Sequence, residues 1–184
     1  MQPYRKTAVF CSTAARAVAA ASITFVGVVW CAYGVGVRVV VTPSAPRGVY
    51  RVVSGDLTRD SLIVFCLPSS LASLGRTRGY LPHGHCEGQV LPLLKPVVGL
   101  PGDIVEVSEQ GIRVNGVRYS GSSRAETDTP GRTLPAIAAG RYLVHAGEVW
   151  VLSTYAPNSW DSRYYGPVNV EQVLGVAHPL WVWR

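Results

Sequence analysis

Hydrophobic residues are distributed differently before and after residue 38 of this 184-residue chain. The segment 17–37 contains 21 consecutive residues without a charged side chain. As an α-helix, a run of this length spans roughly 31 Å, which is close to the hydrocarbon thickness of a bilayer. The run is longer than the h-region of a cleaved signal peptide, and no clear A-x-A cleavage site ends it. This pattern predicts a retained transmembrane helix.

From residue 39 onward, short β-branched runs alternate with segments rich in glycine, proline and polar residues. Candidate strands lie at 39–41, at 49–53, at 60–67, within 89–107 as two strands around Pro101-Gly102, within 141–153 and within 168–183. Residues 111–119 have a hairpin pattern, in which Asn115-Gly116 supplies the left-handed turn. Residues 68–92 and 120–140 have loop composition, and no strong helical period follows the apolar run. The sequence therefore predicts a mostly β, antiparallel domain with one N-terminal transmembrane helix.

The charge distribution predicts how the chain is oriented in the membrane. Residues 1–38 carry four basic side chains and no acidic one, whereas residues 39–184 carry thirteen basic and eleven acidic ones. Because basic flanking segments stay in the cytoplasm, we expect a cytoplasmic tail at 1–16, a membrane anchor at 17–38 and an extracytoplasmic domain at 39–184. The chain has no basic run interleaved with aromatic residues. This argues against a nucleic-acid partner and makes the lipid bilayer the expected one.

The four cysteines fall into two pairs. Cys11 and Cys31 lie in or before the apolar run, where free thiols are expected. Cys66 and Cys86 lie in the outer domain, where an oxidising compartment favours a disulfide between them. The alternative is a metal site built from these two cysteines and the two histidines just before Cys86, although H-x-H-C is not the spacing of a familiar zinc knuckle. We expect no metal ion and no cofactor.

Residues 42–50 (TPSAPRGVY) open the predicted outer domain. Ser44 lies between two prolines, which fix their own φ and favour extended geometry for each preceding residue. Even in a fully extended chain, Ser44 lies within roughly 25 Å of the membrane surface. A serine on such a stiffened bend is a candidate nucleophile if a neighbouring group takes its proton. The alternative interpretation is an ordinary proline-rich turn.

Lys95 is the candidate proton acceptor. It is one of two lysines in the chain and the only charged residue of the apolar run 90–101. Burial among such neighbours lowers the pKa of an amine, and the neutral amine can deprotonate a serine. The alternatives are a strand-edge lysine whose ammonium reaches solvent, and a His145–Asp pair that serves Ser44. The sequence has no G-x-S-x-G elbow, no phosphate-binding glycine loop and no evident pair of catalytic carboxylates.

Three segments resemble, in the right order, the sequence boxes of the type I signal peptidases. Residues 95–103 (KPVVGLPGD) are similar to the lysine box, 112–116 (IRVNG) to the I-x-V-N-G hairpin and 158–168 (NSWDSRYYGPV) to the last box. The serine box differs, because S-x-P-x-G-x-Y at 44–50 replaces the common S-M-x-P pattern. This variant, together with residues 92–96 and the Cys86 segment, resembles the conjugative-transfer branch, the TraF peptidases. The resemblance implies the antiparallel β fold of signal peptidases.

The resemblance also implies a Ser/Lys active site. Six positions receive roles from it: Ser44 as nucleophile, Lys95 as general base, Thr42 as a hydroxyl that assists the Ser44 backbone N–H in the oxyanion hole, Ser159 as the residue that orients the lysine, and Asp161 and Arg163 as a supporting pair. From the residues alone, 158–163 is only a polar turn before a strand.

The expected function is that of a membrane-anchored serine endopeptidase that processes an exported pilin-like precursor for conjugative transfer. We expect it in the bacterial inner membrane, with the catalytic domain in the periplasm. The resemblance implies small residues next to the scissile bond and an acyl-enzyme, which water resolves by hydrolysis and a peptide amine by transpeptidation or cyclisation. The alternatives are a general type I signal peptidase acting on secreted preproteins, and a non-catalytic assembly scaffold with the same fold.

Overall fold

The computed structural model describes residues 7–42, 44–156 and 158–183, with side chains from residue 13 onward. The chain divides into two compact units between Arg38 and Val39. The predicted division into a cytoplasmic tail at 1–16, a membrane anchor at 17–38 and an extracytoplasmic domain at 39–184 stays a prediction. Residues 1–6 of the predicted cytoplasmic tail lie outside the described residues.

The first unit contains one long helix, α1 (Thr7–Gly34). Its part Thr13–Gly34 has a mean hydropathy of 1.7 and is long and apolar enough to cross a membrane. The helix begins and ends earlier than the predicted span 17–38. It ends where Gly36 adopts a φ of 84°, a left-handed conformation that glycine accepts without strain. The chain then enters the first strand, β1 (Val37–Val40), which crosses the division between the two units.

The second unit is mainly β, as the sequence predicts. After β1, its strands in chain order are β2 (Gly48–Val53), β3 (Leu62–Phe65), β4 (His83–Cys86), β5 (Leu93–Gly99), β6 (Ile104–Ser108), β7 (Gly111–Val114), β8 (Val117–Arg118), β9 (Gly140–Leu143), β10 (Glu148–Val151), β11 (Val168–Asn169) and β12 (Val173–Val182). Its helices are α2 (Ser69–Thr77) and α3 (Ser162–Tyr165), with 3₁₀ turns at Glu87–Gln89 and Val170–Gln172. All ladders with a described register are antiparallel.

The larger sheet has seven strands in the order β1-β2-β12-β3-β5-β10-β11. Strand β5 carries Lys95 and pairs with β3 on one side and with β10 on the other. Six of the seven residues of β5 are buried, so both of its faces are covered. The adjoining core contains Phe65, Val97 and Val151, none of which is exposed. Lys95 is among the buried residues of β5, and only the central Pro96 is partly exposed.

The smaller sheet, in the order β8-β7-β6-β9, contains the predicted hairpin. Asn115 and Gly116 form its turn with φ values of 50° and 81°, which confirms the left-handed turn. Asp103, at the end of the lysine box, accepts hydrogen bonds from the Leu100 N–H and the Asn115 amide, both at 2.7 Å, and from Arg59 at 2.8 Å. This carboxylate therefore joins the lysine box to the hairpin box.

Helix α2 and strand β4 were not predicted, because 68–92 has the composition of a surface loop, and the short helix α3 was not predicted either. Helix α2 has only nine residues, follows a proline and has no acidic residue in its first turn, so its start signals are weak. Its Ala72 is buried, and a Cβ on its Gly75 would lie 2.7 Å from the Trp160 ring. Tertiary packing rather than local propensity therefore stabilises this helix.

A disulfide joins Cys66, just after β3, to Cys86, at the end of β4. The expected pair is therefore present, whereas Cys31 is free and exposed. The alternative metal site does not fit, because disulfide sulfurs are not the thiolate ligands that metal binding requires. Within the described parts of the chain, no group of three or more His, Cys, Asp or Glu side chains is arranged to hold a metal ion.

We expect the Cys66→Ser/Cys86→Ser double variant to be less stable than the wild type by about 3 kcal/mol, because the disulfide restricts the unfolded chain. The bonded cysteines are 20 residues apart. The measurement is the free energy of unfolding of the full chain in detergent micelles, from denaturant titration followed by tryptophan fluorescence. Cys31→Ser is the control and should unfold like the wild type. Equal stability of the double variant and this control would contradict the prediction.

Candidate active site

The bend that carries Ser44 is fixed by residues of the S-x-P-x-G-x-Y pattern. The Tyr50 hydroxyl donates a 2.6 Å hydrogen bond to the Pro46 carbonyl, and the Tyr50 ring is buried. Gly48 approaches the Trp181 carbonyl so closely that a Cβ at this position would clash. Only glycine at this position allows β2 to pair with β12 at this distance. The pattern thus has a packing role that holds the backbone around Ser44.

Ser44 is half-buried, and its hydroxyl lies 3.4 Å from the Thr42 Oγ1. Its backbone carbonyl accepts a 2.6 Å hydrogen bond from the Ser153 hydroxyl. Its backbone N–H has no hydrogen-bond partner among the residues that the structure describes. A free backbone N–H and a hydroxyl beside the Ser44 oxygen are the kinds of donor that stabilise an oxyanion.

Lys95 is buried in the middle of β5, with 4% of the residue exposed. It lies opposite Ile63 of β3, and its Nζ donates a 2.6 Å hydrogen bond to the Ser159 Oγ. The alternative of a strand-edge lysine whose ammonium reaches solvent is therefore wrong. Strand β5 also has a hydrogen-bonded neighbour on each side, so Lys95 does not lie on an edge strand.

Burial lowers the pKa of Lys95 from its usual 10.5 to about 8. The negative charge of Asp161 raises this pKa in part, and the positive charge of Arg163 lowers it. The uncharged amine is therefore accessible near neutral pH. In the neutral form, one N–H of Lys95 can keep its hydrogen bond to Ser159, while the nitrogen lone pair is free to accept a proton from another group.

A buried ion pair between Asp161 and Arg163 supports Ser159. The Arg163 Nε and Nη2 lie 2.8 and 2.9 Å from the two carboxylate oxygens of Asp161, and neither side chain is exposed. The same Arg163 Nη2 donates to the Ser159 carbonyl at 3.0 Å. Asp161 also caps α3 by accepting a hydrogen bond from the Arg163 N–H. The pair therefore fixes the backbone of the residue that accepts the Lys95 hydrogen bond.

Burial of residues 159–163, next to the exposed Asn158, is the main difference from the sequence-based interpretation. A polar turn would expose its charged residues, whereas Asp161 and Arg163 are fully buried at the start of a short helix. Sequence analysis also missed Ser153, which contacts a residue 109 positions earlier in the chain. No spacing rule connects residues that far apart, and a serine next to a strand has no signal of its own.

Four of the six predicted site residues line one cavity of about 770 Å³: Thr42, Ser44, Lys95 and Ser159. Asp161 and Arg163 do not line the cavity, but Arg163 is hydrogen-bonded to the backbone of Ser159, which does. In the described chain no hydrogen bond joins Lys95 directly to Ser44. His145 is exposed in the turn before β10 and does not line the cavity, so the His145 alternative lacks geometric support.

The chain is similar in sequence to known peptidases and conjugal transfer proteins. The family model described as "Signal peptidase, peptidase S26" matches residues 10–183. The chain is 33% identical over 153 residues to a plasmid transfer protein TraF of Escherichia coli, which covers 83% of this chain and 86% of the relative. It is 37% identical over 149 residues to a conjugal transfer protein TraF of Agrobacterium fabrum, which covers 79% and 82%. These matches confirm the resemblance seen in the sequence boxes.

Among solved structures, a crystal structure of a signal peptidase I from Enterococcus faecalis is similar to this chain. The two are 22% identical in sequence, with a TM-score of 0.38. The match covers 67% of this chain and 98% of that structure.

We expect Asp161→Asn to lower the free energy of unfolding by about 3–5 kcal/mol, because the variant leaves the Arg163 charge buried and unpaired. The matched control is Glu106→Gln, which removes a surface pair with Arg141, whose side chain is 70% exposed. This control should change stability by at most about 0.5 kcal/mol. Denaturant titration of both full-length variants provides the comparison. Equal losses in the two variants would contradict the structural role of the buried pair.

Proposed function

Because this chain belongs to the signal peptidase family, peptidase S26, we propose that it is a Ser44/Lys95 endopeptidase that processes an exported pilin-like precursor for conjugative transfer. The observation that carries the chemistry is the buried Lys95 amine, which has a lowered pKa and shares one cavity with Ser44. The relatives named for plasmid and conjugal transfer support the assignment to a conjugation system.

Acylation is the first chemical step of the proposed mechanism. The Ser44 Oγ attacks the carbonyl carbon of the scissile peptide bond, and the neutral Lys95 amine takes the hydroxyl proton. Apo hydrogen bonds of catalytic groups often shorten only in the substrate complex, so this transfer requires the two side chains to approach within the cavity. The Ser159 hydroxyl accepts a hydrogen bond from one N–H of the Lys95 amine. This orientation leaves the lone pair of the amine free to accept the Ser44 proton.

The tetrahedral intermediate carries its negative charge beside the Ser44 backbone N–H and the Thr42 hydroxyl. Removal of one such donor typically lowers the rate by about 10²–10³-fold. When the intermediate collapses, the carbon–nitrogen bond breaks and the Lys95 ammonium returns its proton to the leaving amine. The product is an ester between Ser44 and the amino-terminal part of the substrate.

The acyl-enzyme is resolved by a second nucleophile, with Lys95 again as the base. Attack by water releases a new carboxyl terminus. Attack by a peptide amine forms a new peptide bond, and this reaction closes a ring when the amine belongs to the same substrate chain. Both outcomes use the same Ser44 ester and differ only in the acceptor.

The cavity suits an extended peptide. Strand β1 is an edge strand of the seven-stranded sheet, and residues 39–42 line the cavity together with 91–94. A substrate can therefore add main-chain hydrogen bonds to an open strand edge, with small side chains near the scissile bond. We propose that α1 anchors this domain in the inner membrane, with the N-terminus in the cytoplasm and the cavity in the periplasm, where it meets a membrane-embedded precursor.

We expect Ser44→Ala and Lys95→Ala each to lower precursor processing by roughly 10³-fold or more while the protein still accumulates, because each removes one partner of the proton transfer. The measurement is intact-mass analysis of the pilin-like precursor in cells that express the full-length chain. A product one water lighter than the trimmed linear peptide indicates a ring.

The matched control for Ser44→Ala is Ser70→Ala, an exposed serine at the start of α2, which should process normally. Full processing by the Lys95→Ala variant would contradict the Ser/Lys mechanism. Processing of ordinary secreted preproteins in place of the pilin would favour a general signal peptidase. Full function after replacement of Ser44 would favour the scaffold.

A further inference from the structure

The Ser153 hydroxyl connects the nucleophile to the rest of the site, and no step above uses it. Ser153 follows β10 by two positions and is completely buried. Its Oγ donates to the Ser44 carbonyl at 2.6 Å and accepts a hydrogen bond from the Tyr155 N–H at 3.3 Å. Because the Tyr155 N–H can only donate, the Ser153 proton is directed to the Ser44 carbonyl.

The backbone of Ser153 is held by the buried ion pair. Its N–H donates to the Asp161 Oδ2 at 3.0 Å, and its carbonyl accepts from the Arg163 Nη2 at 3.3 Å. The same Nη2 donates to the carbonyl of Ser159, whose hydroxyl binds Lys95. A single ion pair therefore contacts both the residue that binds the nucleophile and the residue that binds the base.

The hydrogen bond from Ser153 fixes the peptide unit between Ser44 and Ala45. The direction of the Ser44 carbonyl sets the ψ angle of Ser44, and with it the backbone from which the hydroxyl projects into the cavity. Ser153 is the one hydrogen-bond partner of this carbonyl in the described part of the chain. The Tyr50 hydroxyl bonds the carbonyl of Pro46, two residues further along the chain.

We propose that Ser153 is a positioning residue for Ser44, through which the Asp161–Arg163 pair sets the distance and angle between nucleophile and base. This inference rests on the proposed function, since it takes Ser44 as the nucleophile. It assigns Ser153 no contact with the substrate and no proton transfer. Its loss should therefore slow the attack by Ser44 without changing how the substrate binds or how Lys95 titrates.

The test measures acylation of Ser44 in the full-length protein in detergent micelles, with the probe acetyl-Ala-Ala p-nitrophenyl ester. Attack by Ser44 forms the acyl-enzyme and releases one p-nitrophenolate per active site, seen as a burst. Ser153→Ala should lower the acylation rate at saturating probe about tenfold, which is the scale of one lost hydrogen bond. The probe concentration that gives the half-maximal rate should not change. The pH at which the acylation rate rises with deprotonation of Lys95, near pH 8, should not change either.

The matched control is Ser122→Ala, because Ser122 is also buried and also bonds backbone groups, here the Ile112 N–H and the Tyr119 carbonyl, and it does not line the cavity. It should lose stability but acylate at the wild-type rate. Ser153→Thr retains the hydroxyl and should recover the rate to within about twofold. Burst amplitude counts the folded, active molecules, so partial unfolding of a variant does not enter the rate.

Three results would overturn the proposal: a wild-type acylation rate in Ser153→Ala, an equal loss of rate in Ser122→Ala, or a Ser153→Thr variant as slow as Ser153→Ala. Failure of the proposed function gives a different result. In that case the burst is absent from the wild type, or it persists in Ser44→Ala.

Discussion

The structure depends on one constraint, the burial of a single amine in the middle of a β-sheet. Lys95 is only 4% exposed although it lines the cavity, and its Nζ is hydrogen-bonded to the buried Ser159. Loss of hydration disfavours the ammonium form, so burial lowers the pKa of Lys95 into the range in which an amine acts as a base.

Buried polar groups are tolerated around this amine because they are bonded to one another. Asp161 and Arg163 are fully buried, and their contacts reach the backbones of Ser153 and Ser159. Such a pair adds little net stability compared with apolar residues, but it fixes two chain segments in one geometry. In this chain those two segments also contain the hydrogen-bond partners of the Ser44 carbonyl and the Lys95 amine, so one ion pair outside the cavity is linked to both residues.

Much of this arrangement can be predicted from the sequence, but not all of it. The strands other than β4, the Asn115-Gly116 hairpin and the Cys66–Cys86 pair follow from local patterns and compartment, and the structure contains all three. Helix α2 was missed because packing against Trp160 rather than propensity forms it. The burial of 159–163 and the contacts of Ser153 depend on the packing of distant segments, for which a sequence without its fold carries no signal.

The most direct test of the central claim is the titration of Lys95 itself. The chain contains two lysines, so in protein labelled with ¹³C-lysine the Lys95→Arg variant identifies the Lys95 Cε resonance by its loss. The titration follows the chemical shift of this resonance against pH in the folded full-length protein. We expect a midpoint at a pKa of about 8, with the neutral amine above this pH and the ammonium below it. A midpoint at the ordinary lysine pKa of 10.5 would contradict it, because the amine would then be charged at any pH at which the enzyme works.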